Sequence, residues 1–125
     1  GLLSKEHSPL IGYRELKTYI KSGATIINTL PLDQQGVLIR GTTTASNEID
    51  VVNRSLQESD SVICVYGRNC YDNSVFEKYK QLRDLNARNV FVYNGGMFEW
   101  LLLNDIYGEG LFPTTGKDPD ILLFK

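Results

Sequence analysis

Ser61-Val62-Ile63-Cys64-Val65-Tyr66 is an unbroken apolar run that leads directly into a glycine and a polar loop. A strand is continuously apolar when both faces of its sheet are covered, as in parallel sheets. A second run of this kind occupies residues 89–93 and ends at a pair of glycines. We therefore expect Val62 to Tyr66 at the centre of a mostly parallel sheet, with Val90 to Tyr93 beside the loop that follows the central strand.

Amphipathic segments alternate with apolar runs along the rest of the chain. The spacing of apolar residues predicts helices at residues 12–23, 48–56, 74–85 and 97–103. In the second of these, Ile49, Val52 and Leu56 share one face, and Ser46-Asn47-Glu48 offers a cap. Two short runs, residues 24–29 and 36–40, predict further strands. This alternation implies right-handed crossovers, and hence an α/β fold with a small, mostly parallel central sheet flanked by helices on both faces.

Length and composition indicate one domain. A chain of 125 residues with 42% hydrophobic residues can build a single core. We expect one domain over residues 1–125, with its core at about 8–108 and a C-terminal strap at 109–125 whose apolar end docks on the body.

A net charge of -2 excludes a broad basic field for nucleic acid or an anionic membrane, and no apolar run approaches the ~20 residues of a membrane span.

Cysteine and histidine are scarce. Two cysteines and one histidine cannot supply a four-ligand zinc site without carboxylates, and two thiols do not form a secreted disulfide framework. We expect a cytoplasmic, reducing location and neither a metal nor a cofactor. His7 has no partner within sequence reach and is given no ligand role. Cys64, inside the apolar run, is assigned to the core.

The loop after the central strand is the best candidate for chemistry. Ligands of open α/β sheets bind beyond the carboxyl ends of strands, where a helix N-terminus also offers unpaired amides to an anion. The candidate anion-binding residues of this loop are Gly67, Arg68, Asn69, Asp72, Asn73 and Ser74, and its thiol is Cys70. Arg68 and the helix amides would favour a thiolate at Cys70. Asp72 at about 5 Å would disfavour it by roughly 3 kcal/mol, unless its carboxylate points away to cap the helix.

Several of these residues also have simpler structural roles. Asn73 or Ser74 can serve only as a helix cap, and Arg68 can be a solvated loop charge. Trp100, among apolar neighbours, is expected in the core. The chain has no GxGxxG after its first strand, no GxxxxGK[ST] and no CxxC, which disfavours dinucleotide, P-loop and thioredoxin-type chemistry. No arginine lies six residues after either cysteine, which disfavours a cysteine-dependent phosphatase.

The order of elements and one motif resemble the rhodanese-like domain. The motif is Gly95-Gly96 followed by Trp100, directly after a strand and past a strand-loop-helix unit. Residues 36–41, Gly-Val-Leu-Ile-Arg-Gly, also resemble the glycine-x-isoleucine-x-glycine stretch of that family. The resemblance covers roughly residues 8 to 108. It implies a small α/β domain whose loop cradles a sulfur-carrying anion, with Gly95, Gly96 and Trp100 supporting that loop.

Active members of the family open this loop with a cysteine that accepts a sulfane sulfur as a persulfide. Here Tyr66 is followed by Gly67, so a gapless placement puts glycine on the catalytic position, and Cys70 comes three residues later. Asn28 and Val37 stand where the family has an acidic residue and a histidine. Our first hypothesis is a non-catalytic binding or regulatory module. The alternative is a thiosulfate-type sulfurtransferase with Cys70 as nucleophile. The partner would be a small sulfur-containing anion or a protein, with no nucleic acid and no membrane.

Overall fold

The computed structural model describes residues 8–125. In this part of the chain four strands alternate with four α-helices. The strands are β1 (Leu10–Ile11), β2 (Thr25–Asn28), β3 (Val62–Tyr66) and β4 (Asn89–Tyr93). The helices are α1 (Tyr13–Lys21), α2 (Glu48–Leu56), α3 (Ser74–Asp84) and α4 (Gly96–Tyr107). Short 3-10 turns occupy Leu32–Gln34, Ala45–Asn47 and Ile121–Phe124.

The four strands form one sheet with the order β1-β4-β3-β2, and each pair of neighbours is parallel. β3 lies in the interior, where Cys64 is opposite Ile26 of β2 on one side and Phe91 of β4 on the other. The carboxyl ends of β2, β3 and β4 therefore meet at one edge of the sheet. The prediction of a parallel α/β sheet with residues 62–66 at its centre is confirmed.

Successive residues of β3 face two separate cores. Cys64 and Tyr66 belong to a cluster that contains Leu16 of α1 and Trp100 of α4. The opposite cluster holds the side chains of β3, α2 and α3 that pack together on the other face: Ile63, Val65, Val52, Val75 and Leu82. Because strand side chains alternate, a fully apolar strand must be covered on both sides. The predicted placement of helices on both faces is confirmed.

The predicted strand at residues 36–40 is wrong. This run forms no strand, although Leu38 and Ile39 are buried. Ile39 makes an isolated antiparallel bridge to Thr114, and its amide donates to the Tyr66 hydroxyl at 3.2 Å. The amide of Arg40 donates to the Pro113 carbonyl at 3.0 Å. The run is apolar because it enters a core, and its backbone is satisfied by groups other than a neighbouring strand.

The apolar face predicted for α2 is only partly buried. Val52 is buried and Leu56 is half-buried, but Ile49 is 75% exposed. The later turns of α2 pack on the sheet and leave the isoleucine of its first turn in solvent. Asn47 makes no side-chain cap, because the helix is entered through the 3-10 turn at Ala45–Asn47. None of the helices in residues 8–125 is both long and apolar enough to cross a membrane.

The end of the chain lies against α4. Asp120 caps the last 3-10 turn by accepting from the Leu122 amide at 3.1 Å. Phe124 is 2% exposed and joins the core cluster that contains Trp100, whereas Leu122 is 71% exposed. The apolar end of the strap is thus anchored by Phe124, and the half-buried Ile121 packs against the same cluster.

Candidate functional site

The loop of residues 67–73 joins the carboxyl end of β3 to the start of α3. Its first residue, Gly67, is buried. Thr29, which follows the neighbouring strand β2, donates its amide to the Tyr66 carbonyl at 3.0 Å. The Thr29 hydroxyl lies 2.7 Å from the Ser74 hydroxyl. The ends of two strands and the first residue of a helix therefore enclose the loop, as expected for a site at this edge of a parallel sheet.

The carboxylate of Asp72 points into this loop. Its Oδ2 accepts from the Arg68 amide at 2.9 Å. Its Oδ1 accepts from the Ser74 amide at 2.9 Å and from the Ser74 hydroxyl at 2.6 Å. Asp72 therefore caps α3 and at the same time takes a loop amide. The sequence left two orientations open for Asp72, one beside the Cys70 thiol and one that caps the helix. The structure has the helix cap, with the carboxylate pointing into the loop.

The loop holds Asp72 as a carboxylate. Partial burial on its own would raise the pKa of Asp72, but the hydrogen bonds from the Ser74 hydroxyl and from the Arg68 and Ser74 amides, with the nearby Arg68 charge, outweigh it. The pKa of Asp72 is therefore lowered from its ordinary value. The loop carries a fixed negative charge at neutral pH.

Gly67 and Asp72 occupy complementary space. A Cβ at position 67 would lie 2.5 Å from Asp72 Oδ2, 2.8 Å from Val75 Cγ1 and 2.9 Å from Thr29 Oγ1. Separations this short are overlaps rather than contacts, so no side chain fits at position 67 while Asp72 keeps its orientation. The volume into which a side chain of residue 67 would project is filled by the carboxylate together with the side chains of Val75 and Thr29.

Arg68 and Asn69 turn away from the loop and bind the strap. Arg68 Nη2 donates to the Leu123 carbonyl at 2.9 Å, and Asn69 Nδ2 donates to the Phe124 carbonyl at 2.9 Å. The Asn69 side-chain oxygen also accepts from the Tyr71 amide at 2.9 Å. The guanidinium expected to hold an anion in the loop is thus engaged by a neutral backbone carbonyl of the strap.

The two thiols differ in environment. Cys64 is fully buried, and burial raises the pKa of its thiol to about 12, so it has little thiolate at neutral pH. Cys70 is exposed on the rim of the loop. Asn73 precedes α3 without a side-chain cap, because Asp72 performs that role.

The start of α4 supports the loop from below. The amides of Met97 and Phe98 donate to the carbonyls of Gly67 and Arg68, each at 2.9 Å. Gly96 has φ +68°, and a Cβ there would lie 2.8 Å from the Asn69 amide nitrogen. A Cβ on Gly95 would instead meet the Glu99 side chain, which accepts from the Tyr93 hydroxyl.

The third member of the expected supporting turn lies deeper in the fold. Trp100 is 1% exposed and stacks edge-on against Tyr93 and Phe112. Its indole donates to the Pro113 carbonyl at 3.1 Å, which ties α4 to the start of the strap. Trp100 is therefore a core residue, and its indole bonds to residue 113 rather than to the loop.

Sequence reasoning missed two residues at this edge, Thr29 and Gln34. Both line a depression of about 460 Å³ beside the loop, together with Arg68, Asp72 and Ser74. The Gln34 Oε1 atom is buried and has no hydrogen-bond partner within residues 8–125. Only the position of Thr29 directly after a strand could have indicated it, whereas nothing in the sequence indicated Gln34.

Two further observations limit the chemistry that the described residues can perform. Within residues 8–125 no group of three or more histidine, cysteine, aspartate or glutamate side chains could hold a metal ion. His7 lies outside the described residues. A hollow of about 540 Å³ at the amino ends of β3 and β4 is lined by Arg83, Arg88 and polar neighbours, and contains none of the predicted loop residues.

Comparison with known proteins gives matches of structure alone. No family model matches the sequence, and no curated protein matches it significantly. The solution structure of the rhodanese-like domain of the Alr3790 protein from Anabaena sp. is 23% identical with a TM-score of 0.61, covering 89% of this chain and 81% of that one. The crystal structure of the Rhodanese_3 like domain of the same protein is 21% identical with a TM-score of 0.56, covering 78% and 96%. This protein therefore has the fold of rhodanese-like domains.

Proposed function

We propose that this domain is a non-catalytic binding module built on the rhodanese-like fold. The observation that carries the proposal is the Asp72 carboxylate, which occupies the loop directly above Gly67. A sulfurtransferase of this fold would need a thiol there, and the gapless placement of the sequence puts glycine at that position. The domain supplies neither the thiol nor the space for it.

The same carboxylate opposes a small free anion in the loop. The Arg68 and Ser74 amides that would hold such an anion already donate to Asp72. A second negative charge about 4 Å from the carboxylate would be repelled by about 4 kcal/mol at an effective dielectric constant near 20. In this proposal the protein provides its own anion, and the loop is a structural element of a binding surface.

Persulfide formation provides the test. In a sulfurtransferase, a thiolate attacks the outer sulfur of thiosulfate, a new sulfur-sulfur bond forms and sulfite leaves. We expect intact-mass measurement after incubation with thiosulfate to show no gain of one sulfur, while an active rhodanese treated in parallel shows it. A gain that is lost in Cys70→Ser and kept in Cys64→Ser would overturn the proposal and establish the exposed thiol as the nucleophile.

A further inference from the structure

We propose that a trough across the carboxyl end of the sheet binds a segment of a partner protein that presents an apolar side chain next to a lysine or arginine. The inference rests on the proposed function of the domain as a binding module, and it names the chemistry of the partner.

The trough consists of two depressions that share Thr29 and Ser74. One, of about 460 Å³, lies beside the loop and reaches Gln34 and Asp72. The other, of about 540 Å³, lies between the 3-10 turn at Leu32–Gln34 and the first turns of α2 and α3. Because the two depressions are adjacent at these shared residues, one extended segment can reach both.

The second depression is apolar at its margins. Leu32 is 76% exposed and Ile49 is 75% exposed, and both line it. Neither side chain belongs to the two core clusters. Covering exposed apolar surface with an apolar side chain of a partner is favourable in proportion to the area removed from water.

The first depression offers acceptors to a donor. A carboxylate has about four acceptor positions, and Asp72 uses three of them, which leaves one on Oδ2. Asp72 is only half-buried, and it lines this depression. Gln34 lines the same depression, and its buried Oε1 has no hydrogen-bond partner within residues 8–125. A buried acceptor without a donor is costly, and a bound N–H group would remove that cost.

The charges of the trough select a basic rather than an acidic side chain. Three carboxylates line it, those of Glu48, Asp72 and Glu77. Lys78 is paired with Glu48 at 3.0 Å. Arg68 directs its guanidinium to the strap. Two cations, Arg68 and Lys78, line the same trough as these three carboxylates, so its net charge is negative by one, and complementary charge gives specificity to an interface.

Short peptides of known composition test this inference. One series consists of capped alanine peptides with one leucine and, at increasing spacing, one arginine. A matched series carries glutamate in place of arginine. We expect the arginine series to shift the backbone amide signals of Gln34, Asp72 and Ser74, with an affinity about tenfold or more above the glutamate series. A tenfold difference in affinity corresponds to about 1.4 kcal/mol, which one screened ion pair and one hydrogen bond can provide. Added salt should narrow the difference.

Two exposed isoleucines give a matched pair of variants. Ile49→Ser should weaken both peptide series, because Ile49 lines the trough. Ile106→Ser should weaken neither, because Ile106 is 67% exposed on α4 and does not line the trough. Asp72→Asn should remove the preference for arginine, and Gln34→Leu, which leaves the loop intact, should reduce it.

Equal affinity for the two series, or shifts confined to the hollow near Arg83 and Arg88, would overturn the inference. Either result would leave the proposed function standing if thiosulfate still adds no sulfur. A gain of sulfur at Cys70 would instead contradict the proposed function, whatever the peptides do.

Discussion

At the scale of single residues, one carboxylate determines what the loop can do. Asp72 accepts from two backbone amides and one hydroxyl, and its Oδ2 lies where a side chain of residue 67 would project. The glycine and the carboxylate therefore depend on each other. A cysteine introduced at position 67 would overlap Asp72, Val75 and Thr29, so it could not be held in the loop without displacing them.

Replacing Asp72 with asparagine should lower the free energy of unfolding by about 1–2 kcal/mol at pH 7, because an amide nitrogen cannot accept the hydrogen bonds that one carboxylate oxygen accepts. The pKa of Asp72 is depressed in the folded state. Its stabilisation is therefore complete above the unfolded value of about 3.9 and is lost as the pH falls through the folded value. Urea unfolding at pH 7 and at a series of acidic pH values should show the difference between parent and variant narrowing.

Asp105→Asn serves as the control for this experiment, since Asp105 is an exposed carboxylate on α4. It should change stability by no more than about 0.5 kcal/mol. If Asp72→Asn behaves like the control at pH 7, the hydrogen bonds of Asp72 do not stabilise the loop.

The sequence identified the loop but could not supply the direction of its side chains. The strand-loop-helix pattern located Asp72 in the loop and named capping as one of its two roles. The inward orientation depends on Ser74, whose hydroxyl is in turn bonded to that of Thr29, directly after strand β2. Likewise, Arg68 is drawn to a carbonyl at residue 123, which is distant in sequence. Contacts of this kind leave no local pattern in a chain.

At the scale of elements, the start of α4 and the loop form one unit. The first amides of α4 donate to Gly67 and Arg68, and Gly96 allows the two backbones to approach closely. Helix N-termini carry unpaired amides that require acceptors. In this fold the loop carbonyls provide those acceptors, so the loop is held in position from the side of the helix.

Gly96→Ala should lower the free energy of unfolding by about 2 kcal/mol or more, because φ is +68° and the new Cβ would meet loop backbone that cannot easily move. Gly95→Ala should cost less, since the obstructing atoms belong to the Glu99 side chain. Gly110→Ala is the control, because nothing lies within 4 Å of a Cβ there. Chemical denaturation of the three variants gives the order, and equal losses at positions 96 and 110 would contradict it.

Helices and strands could be predicted from the sequence where the length of a segment and its flanking residues agreed with the spacing of its apolar residues. The four long helices and the two central strands follow from such agreement. The structure of residues 36–40 could not be predicted in this way, because a short apolar run has the same sequence pattern in a strand and in a buried irregular segment. What distinguishes them is the set of hydrogen-bond partners, here Tyr66, Thr115 and Pro113, all remote in sequence.

At the scale of the whole molecule, the strap connects the loop to the core. Phe124 is buried with the cluster that contains Trp100, and the carbonyls of Leu123 and Phe124 accept from Arg68 and Asn69. One short turn therefore contributes both to core packing and to the conformation of the loop.

Phe124→Ala should lower the free energy of unfolding by about 3–5 kcal/mol, the range for removing a buried aromatic side chain. It should also shift the backbone amide signals of Arg68 and Asn69, since their partners on the strap are displaced. Leu122→Ala, at a position 71% exposed, should change stability by less than about 0.5 kcal/mol and leave those signals in place. Loss of stability without any change in the loop signals would show that the strap and the loop are not coupled.

The pairing of β1 with β4 has a consequence for synthesis on the ribosome. Leu10 is in register with Val92, so roughly 80 residues separate the two strands along the chain. Translation at about 5–20 residues per second makes β1 available some 4–16 s before β4 exists. During that interval β2 and β3 can pair, but β1 has no strand beside it. The first strand of the sheet to be translated is therefore the last that can join it, and nascent chains that end before residue 89 should leave β1 open to proteases or chaperones.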